Sequence, residues 1–591
     1  MIDSPAAPGP APLARWFAWS VALALVVGLA VATWVGVRGV LAFEHLRAAR
    51  DAVSIAAVGT DDPSLAIHVL ASAGTDTEAA RALTSDPVWQ LVSALPWVGP
   101  QLDAISRTVA AADDAFSRAL SPLAGAAENL SPAALAPVGG TVDVRRLATI
   151  EPVATSAAAA LRRASDDVAA IDRRPLLGAV GAAVDDAAAL IGRASDDADA
   201  LSRATRLLPR MLGADGQRSY LVLFQNNAEW RSLGGVVGAV AQIDTRDGRI
   251  ALTTQASTAD FVDMAGEEVG PLPDEVAAVF GTGPSRFIQN ATQVPDFTVG
   301  APIARAMWQR LHGTSVDGVI ALDPVTLSYL LRATGPIVLP SGDELTADNA
   351  VSLLLDEVYR RYDDPRDQDA FFQSATAAVF EALADGRADA AEVIAAVGRA
   401  GAERRLLVWN ADAADQAVLD GTPLQGRLTA DSAARSTVGV YLNDGTGSKM
   451  DVYLRPSVET ALCTPDVASV RVELRSDAPD PDSLPAYVTG NGVYGVPPGE
   501  ALTGVYVYLP PGARVLDRRS TGDTASPVGF SGGTHDGREV VKWSVQLAPG
   551  QRAQLDLEFR LPSPSDVDAV MTPTRDPGEV PHTGTCPFPP A

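Results

Sequence analysis

The chain has 591 residues, which is too many for one hydrophobic core, so its length predicts several domains. Hydrophobic residues make up 47% of it and charged residues 20%, proportions that are typical of folded proteins. The net charge of −26 would repel the phosphate backbone of DNA or RNA, so we expect no nucleic-acid partner.

An apolar segment near the N-terminus predicts a transmembrane helix over residues 16–37. This segment carries no charged side chain and is bounded by Arg15 and Arg38. At about 1.5 Å per residue it would span roughly 33 Å, which is enough for a bilayer core of about 30 Å. A cleavable signal peptide is the alternative, because the AVA at residues 30–32 resembles a cleavage site. The apolar run continues past that site, which favours a retained anchor.

The orientation of this helix is predicted from chain length rather than from charge. Arg15 is the one basic residue ahead of the span, whereas Arg38 and Arg47 follow it, so the positive-inside rule does not place the N-terminus in the cytoplasm. Long domains are translocated largely regardless of charge, and a short segment ahead of a long chain is typical of a signal anchor. We therefore expect residues 1–15 to be a cytoplasmic tail. The protein would be a single-pass protein of the cell membrane, with its bulk extracytoplasmic.

Residues 38–212 predict an α-helical stalk or bundle. They are rich in Ala, Leu and Arg, which favour helix, and their apolar positions recur at three- and four-residue steps. Prolines, among them Pro87, Pro122 and Pro152, are expected to separate the helices, because proline removes a helical hydrogen bond.

A polar corner between two apolar runs is the most informative feature of the chain. The run Tyr220–Phe224 is followed by Gln225–Glu229, by Arg231, and by two glycines that open a second apolar run. Packing alone does not require amides, a carboxylate and a guanidinium at such a place, so we expect a site here, on a loop held by a rigid scaffold. The alternative is that Arg231 pairs with Glu229 and only locks the corner.

Residues 213–420 alternate strand-like and helical segments, which indicates an α/β domain. The Asp247-Gly248 pair predicts a hairpin between two strands. Gly318–Leu322 predicts a buried strand, and Asp323 is then placed to cap a helix that has Pro324 at its first position.

Residues 435–562 predict a C-terminal all-β, Ig-like sandwich, because several β runs with partial alternation lie at suitable spacings. Gly529–Gly533 matches G-x-S-x-G, but it lies between β runs, so it predicts a hairpin loop rather than a nucleophile elbow. Residues 563–591 are expected to be a Pro-rich tail. The chain has two cysteines, Cys463 and Cys586, which form a disulfide in an oxidising compartment or remain two buried thiols.

Five segments resemble one uncharacterised family of actinobacterial membrane-anchored proteins, a domain of unknown function (four-zero-one-two). They are LLPRMLGADGQRSYLVLFQNNAEWRSLGG, FIQNATQVPDF, VDGVIALDPVTLSYLLRATGPI, LTADNAVSLLLDEVYRRY and LNDGTGSKMDVYL. They follow the order of the family, and the resemblance covers about residues 83–561. It implies no established activity.

A remoter resemblance implies a chemistry. Residues 316–372 are similar to the second half of LytR-CpsA-Psr proteins, in which a strand, two helices and an Arg/Asp-rich loop precede a further helix. Members of that family have one N-terminal span and transfer polyprenyl-pyrophosphate-linked glycopolymers to the cell wall, with Arg, Asp and a divalent metal. The resemblance implies catalytic roles for Arg231, Arg360 and Arg361. The Asp that follows the first of these arginines in that family is missing, because Ser232 stands here.

A pyrophosphate-lipid site needs guanidinium forks, carboxylates for Mg²⁺ and an apolar groove. The candidate substrate-binding residues are Asn226, Asn227, Glu229, Asn290 and Arg366, and the candidate Mg²⁺ ligands are Asp260 and Asp363. The alternative for each is a structural role, in a self-satisfied loop or at an exposed helix end.

Two functions therefore stay open. In the first, the protein belongs to the cell envelope and its LytR-CpsA-Psr-like α/β domain binds a polyprenyl-(pyro)phosphate-linked glycan. One version of this hypothesis adds transfer to a cell-wall polymer by a Mg²⁺-dependent phosphotransferase. In the second, the protein is a non-enzymatic envelope scaffold or adhesion protein. The missing Asp favours the second, and the charged corner favours the first.

Overall fold

The structure is a computed structural model. It describes residues 12–57, 63–126, 140–264, 266–386, 388–429, 435–523, 529–577 and 581–588. The chain forms two compact units, which we call the helical unit (Met1–Ala134 and Arg145–Leu208) and the mixed unit (Leu135–Val144 and Pro209–Ala591).

The N-terminal third of the chain is helical, as its composition predicts. The helices are Pro12–Ala57, Pro63–Thr84, Pro87–Ser93, Gly99–Ala115, Ser121–Gly125, Val144–Ala169 and Gly178–Met211. In the first helix, Trp19–Ala52 is long and apolar enough to cross a membrane. Pro87 begins its helix, with Asp86 as the cap. Pro152, in contrast, lies inside a helix rather than between two. The buried face that follows, with Ala157 and Leu161, holds this helix in place despite the lost hydrogen bond. Pro122 does not separate helices either, because a π-helical segment, Phe116–Leu120, joins Gly99–Ala115 to Ser121–Gly125 without a break.

The mixed unit begins with a five-stranded sheet, in the order β3-β2-β1-β4-β7. The first seven strands of the chain are β1 Arg218–Arg231, β2 Gly234–Arg246, β3 Arg249–Ser257, β4 Gly318–Leu322, β5 Ile337–Val338, β6 Glu344–Leu345 and β7 Leu406–Asn410. Strands β1 and β4 run parallel, and the other neighbours in this sheet are antiparallel. The predicted hairpin joins β2 to β3, and Asp247 and Gly248 both have positive φ, as a tight turn of this kind requires.

Helices cover both faces of this sheet. The helices of the mixed unit are Asp274–Phe280, Gly283–Arg286, Phe297–His312, Pro324–Thr334, Ala350–Ser352, Val358–Arg361, Pro365–Ala384, Ala390–Ala402, Ala413–Val418 and Ala486–Thr489, with a π-helical segment at Leu353–Glu357. Strand β4 has the predicted bounds, and Asp323 caps the next helix by accepting a hydrogen bond from the Thr326 amide at 2.8 Å.

Side chains alternate between the two faces of β1. Leu221 and Leu223 are buried with Trp308 of the helix Phe297–His312. Val222 and Phe224 point to the opposite face, where they line a cavity. This period-two alternation gives one sheet two apolar faces, so each needs a covering layer.

Two further five-stranded sheets pack around a shared core in the C-terminal region, in the orders β12-β15-β10-β9-β17 and β13-β14-β11-β8-β16. Buried side chains of both sheets, such as Val472, Trp543 and Leu557, belong to that core. The strands are β8 Arg435–Asp444, β9 Leu454–Thr464, β10 Val467–Ser476, β11 Ala501–Tyr508, β12 Arg514–Gly522, β13 Gly529–His535, β14 Arg538–Leu547, β15 Arg552–Arg560, β16 Asp566–Met571 and β17 His582–Thr583.

Two C-terminal segments differ from the prediction. The G-x-S-x-G segment is not a hairpin loop but strand β13, paired with β14. Gly532 permits this pairing, because a Cβ there would lie 2.0 Å from the Val540 carbonyl oxygen. Residues 563–591 are not only a tail, since β16 pairs in parallel with β8 and β17 with β9. Cys463 and Cys586 form a disulfide, with 5.4 Å between their Cα atoms.

Candidate functional site

A cavity of about 940 Å³ lies against the open face of the first sheet. One wall is formed by strand side chains, among them Val222, Phe224, Ala241, Ile320 and Leu322. The opposite wall is formed by helical segments of residues 324–384. The volume is at the upper end of the roughly 300–1,000 Å³ that is usual for ligand pockets.

The helix Pro365–Ala384 supplies most of the second wall. Its cavity-lining side chains recur at three- and four-residue steps, so they occupy one stripe of the helix. They are Gln368, Asp369, Phe372, Ala375, Thr376, Val379, Phe380 and Leu383. All but the first two and Thr376 are apolar, so the stripe is polar at its N-terminal end and apolar further along.

The polar corner forms one end of the cavity, and it is not a loop as predicted. Strand β1 continues through it to Arg231, with register irregularities between Phe224 and Gln225 and between Asn226 and Trp230. Such bulges turn side chains away from the regular alternation. Gly235 allows β2 to approach, because a Cβ there would lie 2.2 Å from the Asn226 carbonyl oxygen. The polar residues of the corner are typical of turns, which is why the sequence predicts a loop. In the structure, residues distant in the chain form hydrogen bonds with this segment, so it stays a strand.

The two predicted asparagines of the corner have different surroundings. Asn226 lines the cavity, where its amide group contacts the Tyr359 hydroxyl and its Oδ1 accepts a hydrogen bond from the Ala228 amide at 3.0 Å. Asn227 is fully buried, and its Nδ2 donates to the Pro573 carbonyl at 3.1 Å. Asn226 therefore borders the cavity with its amide group already hydrogen-bonded, whereas Asn227 joins the sheet to the C-terminal segment.

Arg231 lines the cavity but does not pair with Glu229. Its Nε donates to Asn290 Oδ1 at 2.9 Å, and its Nη1 donates to the Trp230 carbonyl at 2.8 Å. Burial lowers the pKa of the Arg231 guanidinium, while the nearby Asp444 raises it. The structure thus brings Arg231 and Asn290 together, as the sequence predicted for one site.

Glu229 pairs instead with Lys449, a residue that the sequence-based prediction did not include. Both side chains line the cavity, and the Lys449 ammonium lies 5.3 Å from the ring centroid of Tyr359 and 5.0 Å from that of Tyr487. Burial lowers the pKa of Lys449 to about 7. One signal in the sequence pointed to it, because Lys449 is one of two lysines among 46 basic residues.

Two aspartates complete the polar end. Asp451 accepts a hydrogen bond from the Trp230 amide at 2.7 Å, and burial raises its pKa well above the usual range. Asp444 lines the cavity, and its Oδ1 and Oδ2 accept from the amides of Thr446 and Gly447 at 3.0 and 2.6 Å. Burial raises the pKa of Asp444 as well. Two cations and three carboxyl groups therefore share a poorly solvated space.

The predicted second arginine cluster lies outside the cavity lining. Arg360 pairs with Asp356 at 3.0 Å, and Arg361 pairs with Asp343 at 2.6 Å. Arg366 is exposed in the first turn of its helix. These three side chains therefore do not join Arg231. They are exposed on the helices Val358–Arg361 and Pro365–Ala384, and nearby carboxylates hold Arg360 and Arg361.

The predicted Mg²⁺ ligands Asp260 and Asp363 have different surroundings. Asp260 accepts a hydrogen bond from the Ser257 amide at 2.8 Å, and Asp363 is exposed after its helix. Among the residues that the structure describes, three potential ligand atoms within 4.8 Å of one another occur at Cys463, Glu558 and Cys586, where both sulfurs belong to the disulfide. Among the residues that the structure describes, Asp260 and Asp363 therefore belong to no group of three such ligands, and their role in binding Mg²⁺ stays a prediction.

Comparison with known proteins finds one part of the chain similar to a family model. Residues 215–359 match the family described as "Protein of unknown function (DUF4012)", which confirms the predicted resemblance to an uncharacterised family. The matched region contains the polar corner of β1 and ends at Tyr359, ahead of Lys449. No curated protein and no solved structure shows significant similarity to the chain.

Proposed function

We propose that the mixed unit binds a polyprenyl-(pyro)phosphate-linked glycan, with the hydrocarbon chain in the cavity and the phosphate near Arg231 and Lys449. The protein would be anchored in the cell membrane by its N-terminal helix, with its bulk outside the cytoplasm. Such a protein meets its ligand at the membrane surface, where lipid-linked glycans are located.

The amphipathic form of the cavity carries this proposal. Its long walls are aliphatic and aromatic, and its cations are concentrated at one end, beside β1. Burying a hydrocarbon chain stabilises a complex by about 0.8 kcal/mol per methylene. A guanidinium and an ammonium in a poorly solvated space suit the oxygens of a phosphate. A ligand with one long apolar part and one anionic part satisfies both regions.

The arrangement supports binding more directly than transfer. Arg360 and Arg361, which the LytR-CpsA-Psr resemblance implies as catalytic, are held in ion pairs outside the cavity lining. The mixed sheet followed by helices up to Ala384 supports a LytR-CpsA-Psr-like fold for this region. The two stacked sheets support an Ig-like fold for the C-terminal region.

The proposal is tested by mass spectrometry of the lipids that copurify with the full-length protein in mild detergent. We expect a polyprenyl (pyro)phosphate species at near-equimolar amount. Arg231→Gln should lose it, because the phosphate loses its guanidinium. Arg360→Gln is the matched control, since its side chain lies outside the cavity, and it should retain the lipid.

Thermal unfolding of each variant separates loss of the ligand from loss of the fold. Copurification of bulk phospholipid alone with the wild-type protein would contradict the proposal. Equal lipid retention by folded Arg231→Gln and Arg360→Gln would also contradict it, and a non-enzymatic scaffold would then be the better description.

A further inference from the structure

A group of large apolar side chains is exposed on the helical unit. Trp97 is 89% exposed and Leu91 is 73% exposed, and Leu95 and Val98 beside them are also exposed. They lie at the end of the helix Pro87–Ser93 and in the turn that follows it. A contiguous exposed apolar group of this kind marks an interaction surface rather than an ordinary solvated face.

The position of this surface is set by contacts to the first helix. Trp89 is buried against Val35, and Val92 packs on the same cluster. Arg38 forms an ion pair with Asp86 at 3.0 Å, just ahead of the helix that carries Leu91. Val35 and Arg38 stand at the C-terminal end of the predicted span, residues 16–37. The exposed side chains therefore lie at the level where that span ends.

A second loop reaches the same place. Gln101 Nε2 donates to the Pro175 carbonyl at 2.7 Å, and its Oε1 accepts from the Leu177 amide at 2.9 Å. Leu177 is itself 67% exposed. Since Gln101 follows Val98 by three residues, both loops belong to one end of the helical unit. This is the end that lies beside the end of the span.

We propose that residues 91–98, together with Leu177, insert into the interface of the bilayer that the first helix crosses. We call this group the interfacial surface. The inference rests on the proposed membrane anchor. The occupant is a lipid surface, because the interfacial surface is continuous with the apolar helix through Trp89 and Val35. Tryptophan is enriched at the headgroup level of membranes, where its ring is partly buried and its N–H stays hydrated.

The consequence is a membrane contact at two places rather than one. A lone helix is free to tilt and to rotate about its own axis. Apolar side chains on two loops beside it would stop that rotation, because each would have to leave the interface. Their transfer into lipid is favourable by about 25 cal/mol per Å² of apolar surface.

Spin labels on the full-length protein in phosphatidylcholine–phosphatidylglycerol vesicles test the inference. Single labels are placed at Trp97→Cys, at Val26→Cys within the span, and at Thr149→Cys on the helix Val144–Ala169. Thr149 is the control position away from the interfacial surface, because it lies about 27 Å from Asp167 along that helix, at 1.5 Å per residue. The Asp167 carbonyl accepts a hydrogen bond from Arg107 on the neighbouring helix, which begins beside the interfacial surface. Faster spin relaxation in the presence of oxygen indicates that a label lies in lipid. Faster relaxation in the presence of a nickel chelate indicates that the label lies in water.

We expect the label at position 97 to be relaxed by oxygen at least threefold more than the label at position 149, and less by the nickel chelate. If the labels at 97 and 149 behave alike while the label at 26 lies in lipid, the interfacial surface does not insert into the bilayer, although the first helix does cross it. If the label at 26 reports water, both are wrong. Protection of the label at 97 from both reagents would show a protein partner there, which also overturns the inference.

Discussion

At the scale of single residues, the two cations of the cavity differ in how firmly they hold their charge. Arg231 holds its charge more firmly, because a guanidinium is a much stronger base than an ammonium, although burial lowers its pKa. Lys449 has a pKa lowered to about 7 by burial, so its charge changes near neutral pH. The groups around it are Glu229, Asp451 and the rings of Tyr359 and Tyr487.

This difference predicts the pH dependence of ligand binding. Below pH 7 Lys449 is protonated and would hold the phosphate of the proposed ligand, whereas above pH 7 binding would require the uptake of a proton. The affinity for farnesyl pyrophosphate should therefore fall roughly tenfold between pH 7 and 8.5, about 1.4 kcal/mol. Burial also raises the pKa values of Asp444 and Asp451, and a rise in pH that deprotonates them adds negative charge, which acts in the same direction. Titration calorimetry at both pH values measures this.

The control for this prediction is Lys449→Met combined with Glu229→Gln, which removes the amine without leaving a buried unpaired carboxylate. The double variant should bind more weakly at pH 7 and vary little with pH. An unchanged slope in the folded double variant would assign the pH dependence to other groups.

At the scale of elements, the cavity depends on a sheet and a helix that face each other, each with its own spacing of cavity-lining side chains. Strands of the sheet present every second residue, and the helix Pro365–Ala384 presents every third or fourth. Thr376 lies in the middle of the helical stripe, against the strand wall. A larger side chain at this position would occupy space that the hydrocarbon chain needs.

Thr376→Phe should therefore reduce the affinity for farnesyl pyrophosphate by roughly tenfold or more, about 1.4 kcal/mol. The phenyl ring would extend into the cavity and not into a packed core, so thermal stability should change little. Glu381→Phe is the control, because Glu381 is exposed on the same helix and does not line the cavity. Retention of full affinity by Thr376→Phe would show that the chain binds elsewhere.

At the scale of the whole molecule, the C-terminal segment joins the sheets of the mixed unit. Thr572 donates a hydrogen bond to the Ser232 carbonyl at 3.0 Å, so this segment reaches the turn that closes β1 and β2. Arg405 forms a buried ion pair with Asp323 at 2.7 Å and also donates to the Thr574 carbonyl at 2.7 Å. The end of the chain is thus a structural part of the region that contains the cavity.

The disulfide near the end of the chain should make a measurable contribution to stability. Cys463 and Cys586 are separated by 123 positions, so the bond restricts a long loop in the unfolded chain. Changing both residues to Ser should lower the free energy of unfolding by about 2–5 kcal/mol, measured by urea denaturation of the full-length protein in detergent. Dithiothreitol should lower the urea concentration at the midpoint of unfolding of the wild-type protein, and it should leave the midpoint of the double variant unchanged. Equal stability of the two proteins without reductant would contradict this.

The sequence by itself determined the features that depend on neighbouring residues. The apolar span, the Asp323 cap, the Asp247-Gly248 hairpin and the main β runs follow from local spacing and backbone preference. Arg231, Asn226 and Asn290, which were singled out from the sequence as candidate site residues, line one cavity, and their roles there stay a prediction. Such features can be predicted because the residues that specify them lie within a few positions of each other.

Only the tertiary structure decided which distant groups meet. Glu229 pairs with Lys449 across 220 positions, and the corner stays a strand because partners such as Asp451 satisfy its backbone. Arg360 and Arg361 are in the predicted segment, but helix rotation places them outside the cavity lining. Such pairings cannot be predicted from the spacing of residues along the chain, because they depend on how distant helices and strands pack against one another. The cavity itself exists only once the sheet and the helix Pro365–Ala384 face each other.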